Sequence, residues 1–151
     1  MSGVVDPVTF EVIRHKLMSI TEEQRIAFQS ISGSPVVTEA SDYYTGLFLA
    51  DGTIATMGYK VATQGGPMTL AIKMLMELFP AGELRPGDVF LANDPYHGYS
   101  CHPPDWGFFR PIFYQGKPVF WTLARAHVED TGAAYPGAYF SDPYDVHSKA
   151  F

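Results

Sequence analysis

The 151-residue sequence predicts an α+β fold, with helices flanking a mainly antiparallel sheet. Three observations carry this expectation. Two stretches repeat apolar residues at helical spacing, two pairs of apolar runs meet at Asp-Gly and Gln-Gly turns, and a short apolar run follows a Pro-Gly turn.

Residues 6–28 read as a long helix. Asp6 can cap it, Pro7 suits its first position, and Phe10, Ile13, Leu17 and Ile20 mark the stripe expected to be buried. Gly33 and Pro35 end the element. Residues 43–58 read as a hairpin with Asp51-Gly52 as a two-residue turn. A second helix follows Gly65 and Gly66, starts at Pro67 and places Met68, Ile72, Leu75 and Phe79 on one side. Val89 to Ala92 is a short strand. Residues 108–127 form another hairpin, turning at Gln115-Gly116, whose second strand, Val119 to Ala126, delivers His127 at its end. From 131 to 151 the chain is rich in Gly, Pro, Tyr and Asp without a period, which reads as a loop-like tail packed on a partner. There is no internal repeat. The expectation is one domain over 1–151, not self-contained.

Charged residues are 17% of the chain, against ~25% in typical domains, and aromatics are 15%. Such a chain has little with which to make a polar coat, which suits a surface covered by partner subunits. The net charge is −6 with no cluster of Lys or Arg, so nucleic acid is excluded as a partner. The single cysteine, Cys101, excludes an internal disulfide framework and a thiolate zinc cluster, and reads as a buried or incidental thiol. The opening residues lack the pattern of a signal peptide, and no apolar run approaches the ~20 residues that cross a bilayer. The expectation is a cytoplasmic protein that meets no membrane.

Four of the five histidines lie between 97 and 147. The segment 93–130 holds Asn93, Asp94, His97, His102, Asp105, His127, Glu129 and Asp130. Imidazole and carboxylate together suit Zn²⁺, Mn²⁺ or Fe²⁺. His102 and Asp105 are three residues apart on a proline-stiffened loop and can aim at one point, and His127 at a strand end is placed to be a third ligand. Three protein ligands leave a position open for water or substrate, the pattern of catalytic sites. Asp130, or alternatively Glu129, could orient a ligating histidine. Against this reading, Asn-Asp-Pro is a good turn former, so Asp94 can simply accept backbone N–H groups. His15 and His147 are assigned to structure. No phosphate-binding G-x-x-x-x-G-K-[ST] and no G-x-S-x-G elbow occur, and Lys73 lies mid-helix rather than in the exposed turn a biotinylated lysine needs.

The motifs "DPVTFEVIRHKLMSI", "GLFLADGTIATM", "LRPGDVFLANDPYHG", "HPPDWGFFRPIF" and "ARAHVEDTGAAYPG" occur in this order. Together they resemble the N-terminal part of the hydantoinase B / 5-oxoprolinase family, in its B-type polypeptide. The resemblance implies work beside a hydantoinase A-like ATP-binding subunit and the remaining hydantoinase B-like subunit. The activity it implies is that of a cyclic amide hydrolase or of a biotin-independent ketone carboxylase such as acetone or acetophenone carboxylase. It implies a divalent metal, Zn or Mn, on His102, Asp105 and His127, ATP and Mg on the partner subunit, and no biotin; Asp130, from the reading of the residues above, is expected to be the supporting catalytic carboxylate. Three departures stand out: "HGYSCHPPD" replaces a Gly-Gly-Thr-like run, bulky Trp106, Phe108 and Phe109 follow Asp105, and Val128 replaces a second histidine. The aromatics would suit an apolar or aromatic substrate, or pack on a partner. Family members are several times longer, so this is either a fragment or the small subunit of a split protein. A split organisation is more in keeping with a ketone carboxylase, which is the activity expected here; the alternatives are a cyclic amide hydrolase subunit and a structural subunit that does no chemistry.

Overall fold

The computed structural model describes residues 5–58 and 62–132, the side chains of 62–65 excepted. The expected tail from 133 onward, with His147, lies outside the described residues.

A 25-residue helix, α1 (Pro7–Ile31), opens the chain. Asp6 Oδ1 accepts the N–H groups of Val8 and Thr9 at 3.0 and 3.1 Å, satisfying two donors that the first turn cannot pair internally. A single turn, α2 (Pro35–Thr38), leads into β1 (Tyr43–Leu49) and β2 (Ile54–Met57). Helix α3 (Ala62–Leu78) crosses back, followed by β3 (Phe90–Ala92), β4 (Asp105–Tyr114) and β5 (Lys117–His127). The five strands form one sheet in the order β2-β1-β5-β4-β3, each neighbour antiparallel, as the α+β reading requires. Gln115 and Gly116 both have positive φ, 49° and 76°, which a two-residue turn between twisted strands demands.

The two helices cover opposite faces of the sheet. Met68, Ile72 and Leu75 of α3 pack with Tyr44, Phe48, Phe109, Trp121 and Leu123 in the main core. Phe90 extends this layer, with Phe79 against it at 4.7 Å and Trp121 at 6.0 Å between ring centres. On the other face Val37, Tyr43 and Ala126 form a smaller cluster with Phe28 of α1. Successive strand residues alternate between these faces.

Three details differ from the sequence reading. The first hairpin turns over Ala50–Gly52, three residues rather than two. Gly52 N–H donates to the Leu49 carbonyl, and Gly52, at φ +82°, takes the left-handed position that closes such a turn. Helix α3 begins at Ala62, before the two glycines, with Pro67 inside it. So near the N-terminus the proline forgoes only one hydrogen bond to the preceding turn.

The third difference is larger. Most of the stripe on α1 is not buried: Phe10, Ile13 and Ile20 are 56%, 49% and 50% exposed, and only Leu17 is half-buried. A helix of this length spans ~37 Å, longer than β1 and β2, which have seven and four residues. The C-terminal half makes the polar and aromatic contacts to the sheet, through Gln24, Arg25 and Phe28. Gln24 Nε2 donates to Thr122 Oγ1 and the Leu123 carbonyl, both at 2.9 Å, and Arg25 Nη1 to Tyr43 Oη at 3.1 Å. The apolar positions continue nearly the same side of the helix past that contact. There they form, with Leu49, Ile54 and Met57, an open groove of about 890 Å³. Among the described residues no helix is long and apolar enough to cross a membrane.

Leu123, fully buried at the centre of the sheet, is expected to cost roughly 3 kcal/mol when cut to alanine. Ile31→Ser, at a side chain 82% exposed, should stay within ~0.5 kcal/mol. Denaturant unfolding of the purified protein checks both.

Candidate metal centre

The open end of the β4–β5 hairpin builds the site. Asp105 is the first residue of β4, not a loop residue, and its register partner is His127, the last residue of β5. Direct partners in an antiparallel pair present their side chains on the same face within a few ångströms. Here that face is the α3 side, where Asp105 and His127 are 1% and 2% exposed. His102 comes from the loop before β4. Its carbonyl accepts the Asp105 N–H at 3.0 Å, and the Pro104 carbonyl accepts Val128 N–H at 2.9 Å, which turns the loop over the hairpin end.

The loop is itself pinned. Asn93 Nδ2 donates to the Pro103 carbonyl at 3.2 Å, and the buried Ser100 Oγ donates to the Asp105 carbonyl at 2.9 Å. A Cβ at Gly98 would lie 2.8 Å from the Asp94 carbonyl oxygen, so only glycine allows the chain to pass there. Asp94 behaves as a turn former: its Oδ1 accepts Tyr96 N–H at 2.7 Å, and its Oδ2 pairs with the exposed His97.

Three ligand-type atoms converge. His102 Nε2 lies 3.1 Å from His127 Nδ1 and 3.3 Å from Asp105 Oδ1, and His127 Nδ1 lies 3.6 Å from Asp105 Oδ1. A tetrahedral ion with bonds of ~2.1 Å spaces its ligands by roughly 3.4 Å. Asp105 Oδ1 is buried and accepts no hydrogen bond among the described residues, although its neighbours could supply one. A buried carboxylate oxygen left this way, with two imidazole nitrogens beside it, fits a divalent cation of the Zn, Mn or Fe class. Among the described residues this is the cluster of three with metal-ligating geometry. Burial works to raise the Asp105 pKa, but His102, Arg125 and His127 outweigh it and hold the carboxyl below its ordinary value.

Asp94 and His97 pair with each other on the surface, and Cys101 is exposed rather than buried. Glu129 Oε1 accepts Ser34 Oγ at 3.3 Å, and Asp130 Oδ1 accepts the Gly132 N–H at 2.8 Å in an exposed turn. Trp106 and Phe108 lie off the face on which the three candidate ligands meet, although His127 borders the same pocket as they do. Strand alternation sends them to the α1 side of the sheet, where they line a pocket of about 340 Å³ with Phe28 and Val37.

One residue escaped the sequence reading. Arg125 is 1% exposed and donates from Nη2 to Asp105 Oδ2 at 2.9 Å. Its signal was there: two residues before His127 on a strand, it shares that residue's face, and a buried arginine needs a carboxylate.

The family model for hydantoinase B/oxoprolinase matches residues 6–150. The chain belongs to this family. The beta subunit of the caprolactamase of Pseudomonas jessenii is 31% identical over 97% of this chain, and the acetophenone carboxylase delta subunit of Aromatoleum aromaticum is 31% identical over 91%. Those matches cover 25% and 20% of the two relatives, so the chain spans about a quarter or less of their length. Among solved structures, nucleotide-free acetone carboxylase superposes on 88% of the chain at 28% identity and a TM-score of 0.79, over 18% of its own length. The ATP-dependent caprolactamase of P. jessenii superposes on 99% of the chain, and on 25% of its own, with a TM-score of 0.77 at 24% identity, a likeness of fold. The hydantoinase B-like fold seen here is thus a part of a larger one.

Asp105→Asn leaves the Arg125 guanidinium buried without a counter-charge, and an expected loss of roughly 3–5 kcal/mol at neutral pH follows. Because the folded carboxyl titrates below its unfolded value of ~3.9, its contribution is full above that value and lost as the pH falls through the folded one. The stability gap between wild type and Asp105→Asn should therefore narrow on acidification, as read by denaturant unfolding across pH.

Proposed function

We propose that this chain supplies the metal-holding part of an ATP-dependent complex that carboxylates a ketone with bicarbonate. The observation that carries the reading is the convergence of His102, Asp105 and His127 around the open Asp105 Oδ1. Relatives that act as an acetophenone carboxylase delta subunit and as acetone carboxylase support the choice of reaction. A Zn²⁺ or Mn²⁺ ion held by these three residues supplies Lewis-acid polarisation of a carbonyl or carboxylate oxygen. The chain's own work is to hold the ligands still on a strand pair and to keep Asp105 ionised. Asp130, three residues beyond His127, is the carboxylate proposed to support a ligating ring.

The partners in this reading are a hydantoinase A-like polypeptide, which binds ATP and Mg, and the remaining hydantoinase B-like polypeptide. Biotin has no part in it. Two observations support burial in a complex: the low charge of the chain and the exposed apolar side of α1. The cytoplasm, with its ATP, is the proposed location.

A second reading, hydrolysis of a cyclic amide, is favoured by the 31% identity to the caprolactamase beta subunit over nearly the whole chain. Labelled bicarbonate separates the two. With ATP and a ketone, the complex is expected to fix label into an acid-stable carboxylate. ATP-dependent opening of a lactam or hydantoin without label identifies the hydrolase. A His102→Ala complex should assemble yet lose activity by at least ~100-fold; full activity would mean that the chain has a structural role alone.

A further inference from the structure

We propose that Arg125 is the positioning residue of the metal centre. It holds Asp105 by Oδ2 so that Oδ1 alone faces His102 and His127, and it holds the loop that carries His102. The inference rests on the metal reading of the three ligands.

One guanidinium meets all three ligand-bearing segments. It sits on β5, two residues before His127 and on the same face. Nη2 donates to Asp105 Oδ2 on β4 at 2.9 Å. Nη1 donates to the Tyr99 carbonyl, on the loop leading to His102, at 3.3 Å. Tyr99 has φ +52°, a conformation that a residue with a side chain keeps only where its surroundings hold it.

The division of the carboxylate is the central point. A carboxylate with both oxygens free can bind a metal through one or both. Here the two oxygens have different neighbours: Oδ2 is engaged by a charge-assisted hydrogen bond, and Oδ1 accepts none among the described residues. That difference presents one ligand atom at a fixed place.

Stability is a poor account of the same arrangement. Arg125 Nε is buried with no partner among the described residues, and Nη1 faces the Met68 Sδ, a weak acceptor, at 3.6 Å. A buried ion pair with an unmet donor is often matched or bettered by apolar residues of similar volume. Lysine keeps the charge but not the planar fork that reaches Asp105 and Tyr99 together.

The test uses the full chain with the subunits that co-purify with it, stripped of metal by a chelator. Wild type, Arg125→Lys and Arg125→Gln are titrated with Co²⁺, following affinity and the visible absorption of the bound ion. Circular dichroism of the metal-free forms reports folding. Arg125→Lys is expected to fold and assemble, yet to bind Co²⁺ about 10–100-fold more weakly with an altered absorption band. Arg125→Gln should be at least as weak. Wild-type affinity and an unchanged band in both variants overturn the proposal alone. So does failure of both variants to fold, which assigns Arg125 to stability. No Co²⁺ binding by wild type overturns the metal reading, and this inference with it.

Discussion

The pairing of β4 with β5 places Asp105 opposite His127, and everything else at the site depends on that register. A slip of one residue would send Asp105 to the α1 face and bring Trp106 inward. The Gln115-Gly116 turn sets only the pairing next to it, because the register shifts by one residue between Ile112 and Phe113; beyond that irregularity it is held by Phe109 and Leu123, paired across the strands within the main core. The sheet thus sets two candidate ligands by backbone pairing, and the third arrives on a loop tied to the same hairpin.

This arrangement explains why three polar residues tolerate burial. Asp105, Arg125 and His127 are each nearly inaccessible. Isolated, any of the charges would be costly there. Together the arginine and the rings keep the carboxyl ionised against its own desolvation. Among the described residues one carboxylate oxygen accepts no well-formed hydrogen bond, with the two rings standing at 3.3 and 3.6 Å from it. A divalent cation is the partner that would complete the arrangement in the proposed reading.

Much of this was legible in the sequence, and the exceptions have physical causes. The α+β class, the Gln115-Gly116 turn and the Met68–Ile72–Leu75 side of α3 were readable because turn chemistry and apolar period act locally. The stripe on α1 was readable as a stripe, but its burial depended on the length of the sheet beneath it, which no local pattern records. His102, Asp105 and His127 could be nominated by residue type and by their resemblance to family motifs. That Asp105 begins a strand was hidden by the prolines before it, which made the segment read as loop. Arg125 was hidden for a different reason: a lone basic residue in an apolar strand looks like a surface position until the face it shares with His127 is known to be inside.

The most direct test of the account is elemental analysis of the native complex beside one carrying His102→Ala and His127→Ala. The account predicts one divalent metal per copy of this chain in the first, and its loss from the second while the complex still assembles. An unchanged metal content would make His102, Asp105 and His127 architecture of the hairpin end, and would place the chemistry on other chains.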